Sequence, residues 1–110
     1  MGKKTVISLE NPNPNLPLNY FMKNRYLGNS GLAVSRVCLG TMTFGNQAWG
    51  CDQKASTAMV DAYINAGGNF IDTADLYANT VSETFLGKAL EGKNRDNLVI
   101  ASKSWFPMNE

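Results

Sequence analysis

Apolar positions along this chain fall into short continuous runs, separated by longer stretches in which they recur with a helical period. Val37, Cys38 and Leu39 form one run that stops at Gly40 and Thr41. Continuous rather than alternating apolarity predicts a strand buried on both faces, with Cys38 as a small buried hydrophobe inside it. Residues 69–72 (Asn-Phe-Ile-Asp) predict a second strand, and residues 98–102 (Leu-Val-Ile-Ala-Ser) predict a β-branched third one with Lys103 at its end. Between the first two, Asp52 is a suitable N-cap for a helix running to Ala66, with Ala55, Met59, Ala62, Tyr63 and Ala66 facing inward. Gly67 and Gly68 would end it in a left-handed turn. Thr80-Val81-Ser82-Glu83 has the spacing of a capping box and opens a second helix to about Glu91, its inner face Val81, Phe85, Leu86, Ala89 and Leu90. Gly87 inside that helix costs roughly 1 kcal/mol against alanine, which predicts a close approach of helix to strand.

Ahead of the first strand, residues 25–28 and 32–36 flank Asn29-Ser30-Gly31, a turn sequence that tolerates positive φ, and so predict a β-hairpin. The order is therefore hairpin, strand, helix, strand, helix, strand. The strand ends near Gly40, Asp72 and Lys103 recur at about 31 residues, the spacing of a (β/α)8 barrel of roughly 250 residues divided by eight. Right-handed crossovers would set the three strands parallel and adjacent with both helices on one side, although a doubly wound sheet accepts the same units. The fold class is α/β, read as a partial TIM barrel. Residues 1–21, with prolines at 12, 14 and 17, read as a flexible extension, and residues 22–110 as the barrel portion.

Composition changes this picture little. The 110 residues are 44% hydrophobic and 17% charged with a net charge of +1, which fits a globular protein and offers no basic stripe for nucleic acid and no polyanion partner. The start lacks the apolar core of a signal peptide, and no apolar stretch reaches membrane-spanning length. Cys38 and Cys51 make no disulfide framework, so a cytoplasmic location is expected, and with no histidine a metal site is not. Cys51 stands before a helix N-terminus, but lacks a base that would make it a nucleophile.

The chemistry lies at the strand ends, which meet on one face in parallel α/β folds. Asp72 and Lys103, each closing an apolar strand, are costly there unless they pair with one another. Tyr77, five residues past Asp72, can fold back over the same face, where an ammonium favours the tyrosinate form. A phenol in that setting can deliver a proton to a carbonyl oxygen while hydride reaches its carbon. Asp75 reads as a loop carboxylate and Glu83 chiefly as a capping residue. The glycines do not form G-x-G-x-x-G, and no P-loop pattern occurs.

The strings YLGNSGLAVSRVCLGTMTFG, AGGNFIDTADLY, SETFLGKAL and VIASK resemble the opening of the aldo-keto reductase superfamily, in the branch of many bacterial reductases and the potassium-channel β subunits. The resemblance runs from about Lys23 to Phe106. It implies a catalytic set of Asp72, Tyr77 and Lys103, and a nicotinamide cofactor, NADPH or alternatively NADH, lying near Gly40, Thr41, Met42 and Asp72. It also implies a pocket for a carbonyl-containing small molecule, lined by Phe44, Trp49, Trp105 and Phe106. The family's catalytic histidine comes from a fourth strand, which would lie beyond Glu110, as would most groups that hold the cofactor's phosphates and adenine. The chain accordingly reads as the N-terminal segment of such a reductase, with little activity by itself. A non-catalytic partial-barrel interaction module and an inert shortened product are the alternatives. Self-association, or complementation by the remaining barrel strands, is the partner expectation.

Overall fold

A computed structural model describes residues 22–107 together with Asn15; the extension expected over residues 1–21 otherwise lies outside the described residues. Strands β1 (Asn24–Tyr26) and β2 (Ala33–Ser35) pair antiparallel, with Tyr26 opposite Ala33. The turn between them uses positive φ at Gly28 and Gly31, and the Ser30 hydroxyl donates to the Leu27 carbonyl at 2.6 Å. The chain continues as β3 (Leu39–Gly40), α1 (Gln53–Asn65), β4 (Phe70–Asp72), α2 (Val81–Ala89), a 3-10 turn over Arg95–Asn97 and β5 (Val99–Ala101).

Strands β3, β4 and β5 form a parallel sheet in that order, and its register sorts the side chains. Leu39, Ile71 and Ile100 stand abreast, as do Gly40, Asp72 and Ala101. Residues abreast in a parallel sheet point to the same face. The first row points at the helices, where Ile71 is fully buried among Phe44, Val60, Tyr63, Leu86 and Ala89 with Leu39 and Ile100 packed against them. The second row faces away from both helices.

That one-sided cover corrects the reading of the first strand. Val37 is 59% exposed and Cys38 is exposed too, because Cys38 shares with Gly40 the face that neither helix covers, and Val37 precedes the first paired residue. Helix α1 is capped as its sequence predicts, Asp52 Oδ1 accepting from the Ala55 amide at 2.8 Å, and ends at Gly67 with φ 88°. Its buried face is Ser56, Val60 and Tyr63, not Ala55, Met59 and Ala62. Ser56 is tolerated inside because its hydroxyl donates to the Asp52 carbonyl one turn back, at 2.8 Å.

Helix α2 departs further. Ala78, Asn79 and Thr80 all have positive φ, and Thr80 makes no side-chain cap bond. No capping box forms, because the Thr80 amide already donates to the Asp75 carbonyl at 2.9 Å and leaves Glu83 nothing to close onto. Ser82 instead turns inward, fully buried, its hydroxyl 2.7 Å from the Thr41 carbonyl and 3.0 Å from Thr41 Oγ1. Gly87 is not at a close approach either: it lies exposed, with open space where a Cβ would stand.

One side chain ties the layers together. Tyr63 Oη lies 2.7 Å from Ser35 Oγ, 2.7 Å from the Val37 carbonyl and 2.6 Å from the Phe70 carbonyl, and it accepts from the Phe70 amide at 3.1 Å. The ring rests on Gly68, where any Cβ would come within 2.3 Å of it. Asn69 adds a second link, its Oδ1 accepting from the Ser35 amide at 2.7 Å and its Nδ2 donating to the Ala33 carbonyl at 3.1 Å. The hairpin is thereby fixed to the start of β4. Among the described residues no helix is long and apolar enough to cross a membrane.

Candidate active site

The ladder between the strands runs past their last paired residues and sets the site. Thr41 donates its amide to the Asp72 carbonyl at 3.0 Å, Thr73 donates to Ala101 at 2.8 Å, and Asp75 donates to Lys103 at 3.1 Å. Lys103 lies two residues beyond Ala101, so alternation returns its side chain to the face that carries Asp72. There the ammonium lies 2.7 Å from Asp72 Oδ2, 2.9 Å from the Thr73 carbonyl and 3.1 Å from Tyr77 Oη. It also stands 4.9 Å from the centre of the Tyr77 ring.

An ammonium has three hydrogens and no lone pair. All three are used here, which fixes the lysine rotamer between a carboxylate, a carbonyl and a phenol. Because Lys103 can only donate, Tyr77 Oη accepts from it, and the phenol's own hydrogen is left to point elsewhere. The bond to Asp72, then the bond to Tyr77, holds the Lys103 ammonium above the usual lysine range. On the same face, partial burial and then the charge of Asp72 push the Cys38 thiol up, with Lys103 opposing. Cys38 is thus a neutral neighbour of the cluster.

The other residues expected at the site divide. Gly40 stands abreast of Asp72 with nothing within 4 Å of a Cβ built on it, and Met42 is 52% exposed. Thr41 and Phe44 do not face the rim: both are completely buried, Thr41 bonded to Ser82 and Phe44 at the centre of the helix-side core. Gly45, φ 75°, turns the chain just after Phe44, and a Cβ there would come within 2.4 Å of Val81 Cγ1, so the loop is drawn in against α2. Trp49, Trp105 and Phe106 are exposed on loops. The Thr73 carbonyl was not legible in the sequence, since a backbone acceptor leaves no residue-type signal. Nor was the bond from the Ser102 hydroxyl to Glu83 Oε1.

The parallel sheet gathers a carboxylate, an ammonium and a phenol at its strand ends, beside an open glycine, at the end of the sheet where ligands bind in open α/β folds. Residues 36–110 match the model of the aldo/keto reductase family. Over 98 residues the chain is 40% identical to an aryl-alcohol dehydrogenase [NADP(+)] of Phanerodontia chrysosporium, covering 84% of this chain and 26% of that protein. It is 42% identical over 98 residues to a norsolorinic acid reductase of Aspergillus flavus, covering 84% of this chain and 24% of that one. An aldo-keto reductase from Bacillus halodurans, solved in its holo form, superposes with a TM-score of 0.65 at 38% identity, covering 76% of this chain and 26% of that chain. The chain belongs to the aldo/keto reductase family. It spans about a quarter of the length of these relatives.

Proposed function

We propose that this segment supplies the proton-donating half of an NADPH-dependent reductase that converts aldehydes or ketones to alcohols, its three strands opening an eight-stranded barrel. The observation that carries the reading is the Lys103 ammonium held at once on Asp72 and Tyr77. Tyr77 is the general acid: its hydrogen, not engaged by Lys103, passes to the carbonyl oxygen of the substrate. Lys103 then donates to a phenolate oxygen and stabilises the charge left there, a preorganised interaction that needs no rearrangement during the step. Asp72 acts through Lys103, keeping it charged and aimed.

A nicotinamide bound beside the cluster would supply the hydride. The residues present fit such a group. Gly40 offers a flat approach with no side chain in the way, Met42 is exposed next to it, and Asp72 engages Lys103 through Oδ2 alone, which leaves Oδ1 as an acceptor for a ribose hydroxyl. Thr41 contributes by anchoring this loop to Ser82 rather than by touching the cofactor. Trp49, Trp105 and Phe106 are the aromatic surface offered to the substrate. The relatives named above act on aryl alcohols and on norsolorinic acid by their names, which favours aromatic carbonyl compounds here.

The test is NADPH oxidation with an aromatic aldehyde by the polypeptide that bears this segment, alongside Tyr77→Phe. The substitution is expected to cost turnover by about 10²–10⁴-fold, the usual worth of a general acid, with NADPH affinity unchanged. Turnover that survives it would remove Tyr77 from the mechanism.

A further inference from the structure

We propose that Glu83 and Ser102 are positioning residues for this site: the first turn of α2 grips the end of β5 through them and so keeps Lys103 on Asp72, Thr73 and Tyr77. The proposal rests on the reading of Lys103 as part of the reductase site. Ala101 is the last residue of β5 paired with β4, and Lys103 follows it by two residues. The direction of Lys103 therefore depends on what holds residues 102 and 103 as well as on the ladder to β4.

Two lines of contact reach it, and both begin in the first turn of α2. In one, the Thr80 amide donates to the Asp75 carbonyl at 2.9 Å, and the Asp75 amide donates to the Lys103 carbonyl at 3.1 Å. In the other, Glu83 Oε1 accepts from the Ser102 hydroxyl. Together they close a ring from Thr80 through Asp75, Lys103 and Ser102 to Glu83 and back along the helix. Strand alternation puts Ser102 on the helix side and Lys103 on the open side, so a pull on one residue sets the direction of the next. A hydrogen bond to an ionised carboxylate is about twice as strong as a neutral one. Glu83 is available for this because the Thr80 amide, its partner in a capping box, is already taken.

Lys103 reports on its own position, since its titration depends on the two side chains it touches, Asp72 on β4 and Tyr77 in the loop that follows. The experiment follows the Lys103 side chain by NMR through an alkaline titration of the full chain, together with nuclear Overhauser contacts to Tyr77. In the parent the midpoint should lie above the ordinary lysine value, and Asp72→Asn should return it there. Ser102→Ala and the isosteric Glu83→Gln should each weaken the Tyr77 contacts and raise the deprotonation constant of Lys103 by roughly threefold, which is half a pKa unit. Ser102→Thr, which keeps the hydroxyl, should restore both. Lys93, paired with Asp61 at 2.6 Å, should be unaffected throughout. An ordinary midpoint in the parent would defeat the reading of the site itself. A raised parent midpoint that neither variant moves, even with thermal stability lowered, would overturn the clasp alone and leave it a structural bond.

Discussion

Replacing Tyr63 by phenylalanine removes one oxygen at the point where hairpin, sheet and helix meet, and the structure says what that costs. A phenol has a single hydrogen, so Tyr63 donates to only one of the carbonyls of Val37 and Phe70 at a time, and accepts the Phe70 amide throughout. In Tyr63→Phe the Val37 carbonyl keeps the Ser35 hydroxyl, at 2.9 Å. The Phe70 amide, by contrast, loses the acceptor it has, in a site whose ring is 8% exposed. Leaving one buried donor unsatisfied costs about 1–3 kcal/mol. For a domain of this size that lowers the melting temperature by roughly 4–8 °C per kcal/mol, so about 10 °C is expected. Far-UV circular dichroism in urea is the suitable assay, since Trp49 and Trp105 are too exposed to report the core by fluorescence. The transition midpoint should fall with its slope unchanged, because Asn69 still binds the hairpin. A loss under about 0.5 kcal/mol would refute the idea that this hydroxyl is a hub and make the ring's packing on Gly68 its whole contribution.

Other perturbations give distinct outcomes. Gly87→Ala, at an exposed helical position with room for a Cβ, should stabilise the 110-residue chain by about 0.5–1 kcal/mol in the same urea assay; a loss instead would mean that this face is covered in solution. Ser82→Ala strips the buried Thr41 carbonyl of its hydroxyl donor and should cost about 1–2 kcal/mol, while the reverse-facing Thr84→Ala costs little. Lys103 is raised above 10.5, so the stability it contributes is fully present below that pH and is lost as pH climbs through the folded value. Urea midpoints of parent and Lys103→Met should therefore differ by a constant amount from pH 7 to about pH 10 and converge above it; a difference that vanished by pH 8 would contradict the assignment.

Much of the frame was legible because it depends on local rules. The turn residues around Gly31, the cap at Asp52, the ending at Gly67 and the apolar strands closed by Asp72 and Lys103 each follow from backbone chemistry that neighbours do not alter. Convergence of Asp72, Tyr77 and Lys103 followed from parallel strands sharing one end. What failed depended on which face the fold covers. Cys38 and Met59 are apolar enough to be buried, yet stand on sides that no described layer packs against. Phe44 and Thr41 sit in a loop at the rim of the sheet, and only Gly45's close pass against Val81 shows that the loop turns inward. The capping box at Thr80 had the right spacing but lost its amide to Asp75, a competition that spacing cannot reveal.

The most direct measurement of the central claim is a crystal structure of the polypeptide that bears this segment, with NADPH and a carbonyl ligand bound. The carbonyl oxygen should lie within hydrogen-bond reach of Tyr77 Oη, about 2.6–3.2 Å, with Lys103 still donating to that oxygen and to Asp72. A carbonyl held by some other donor, or a Lys103 turned away from Tyr77, would contradict the account.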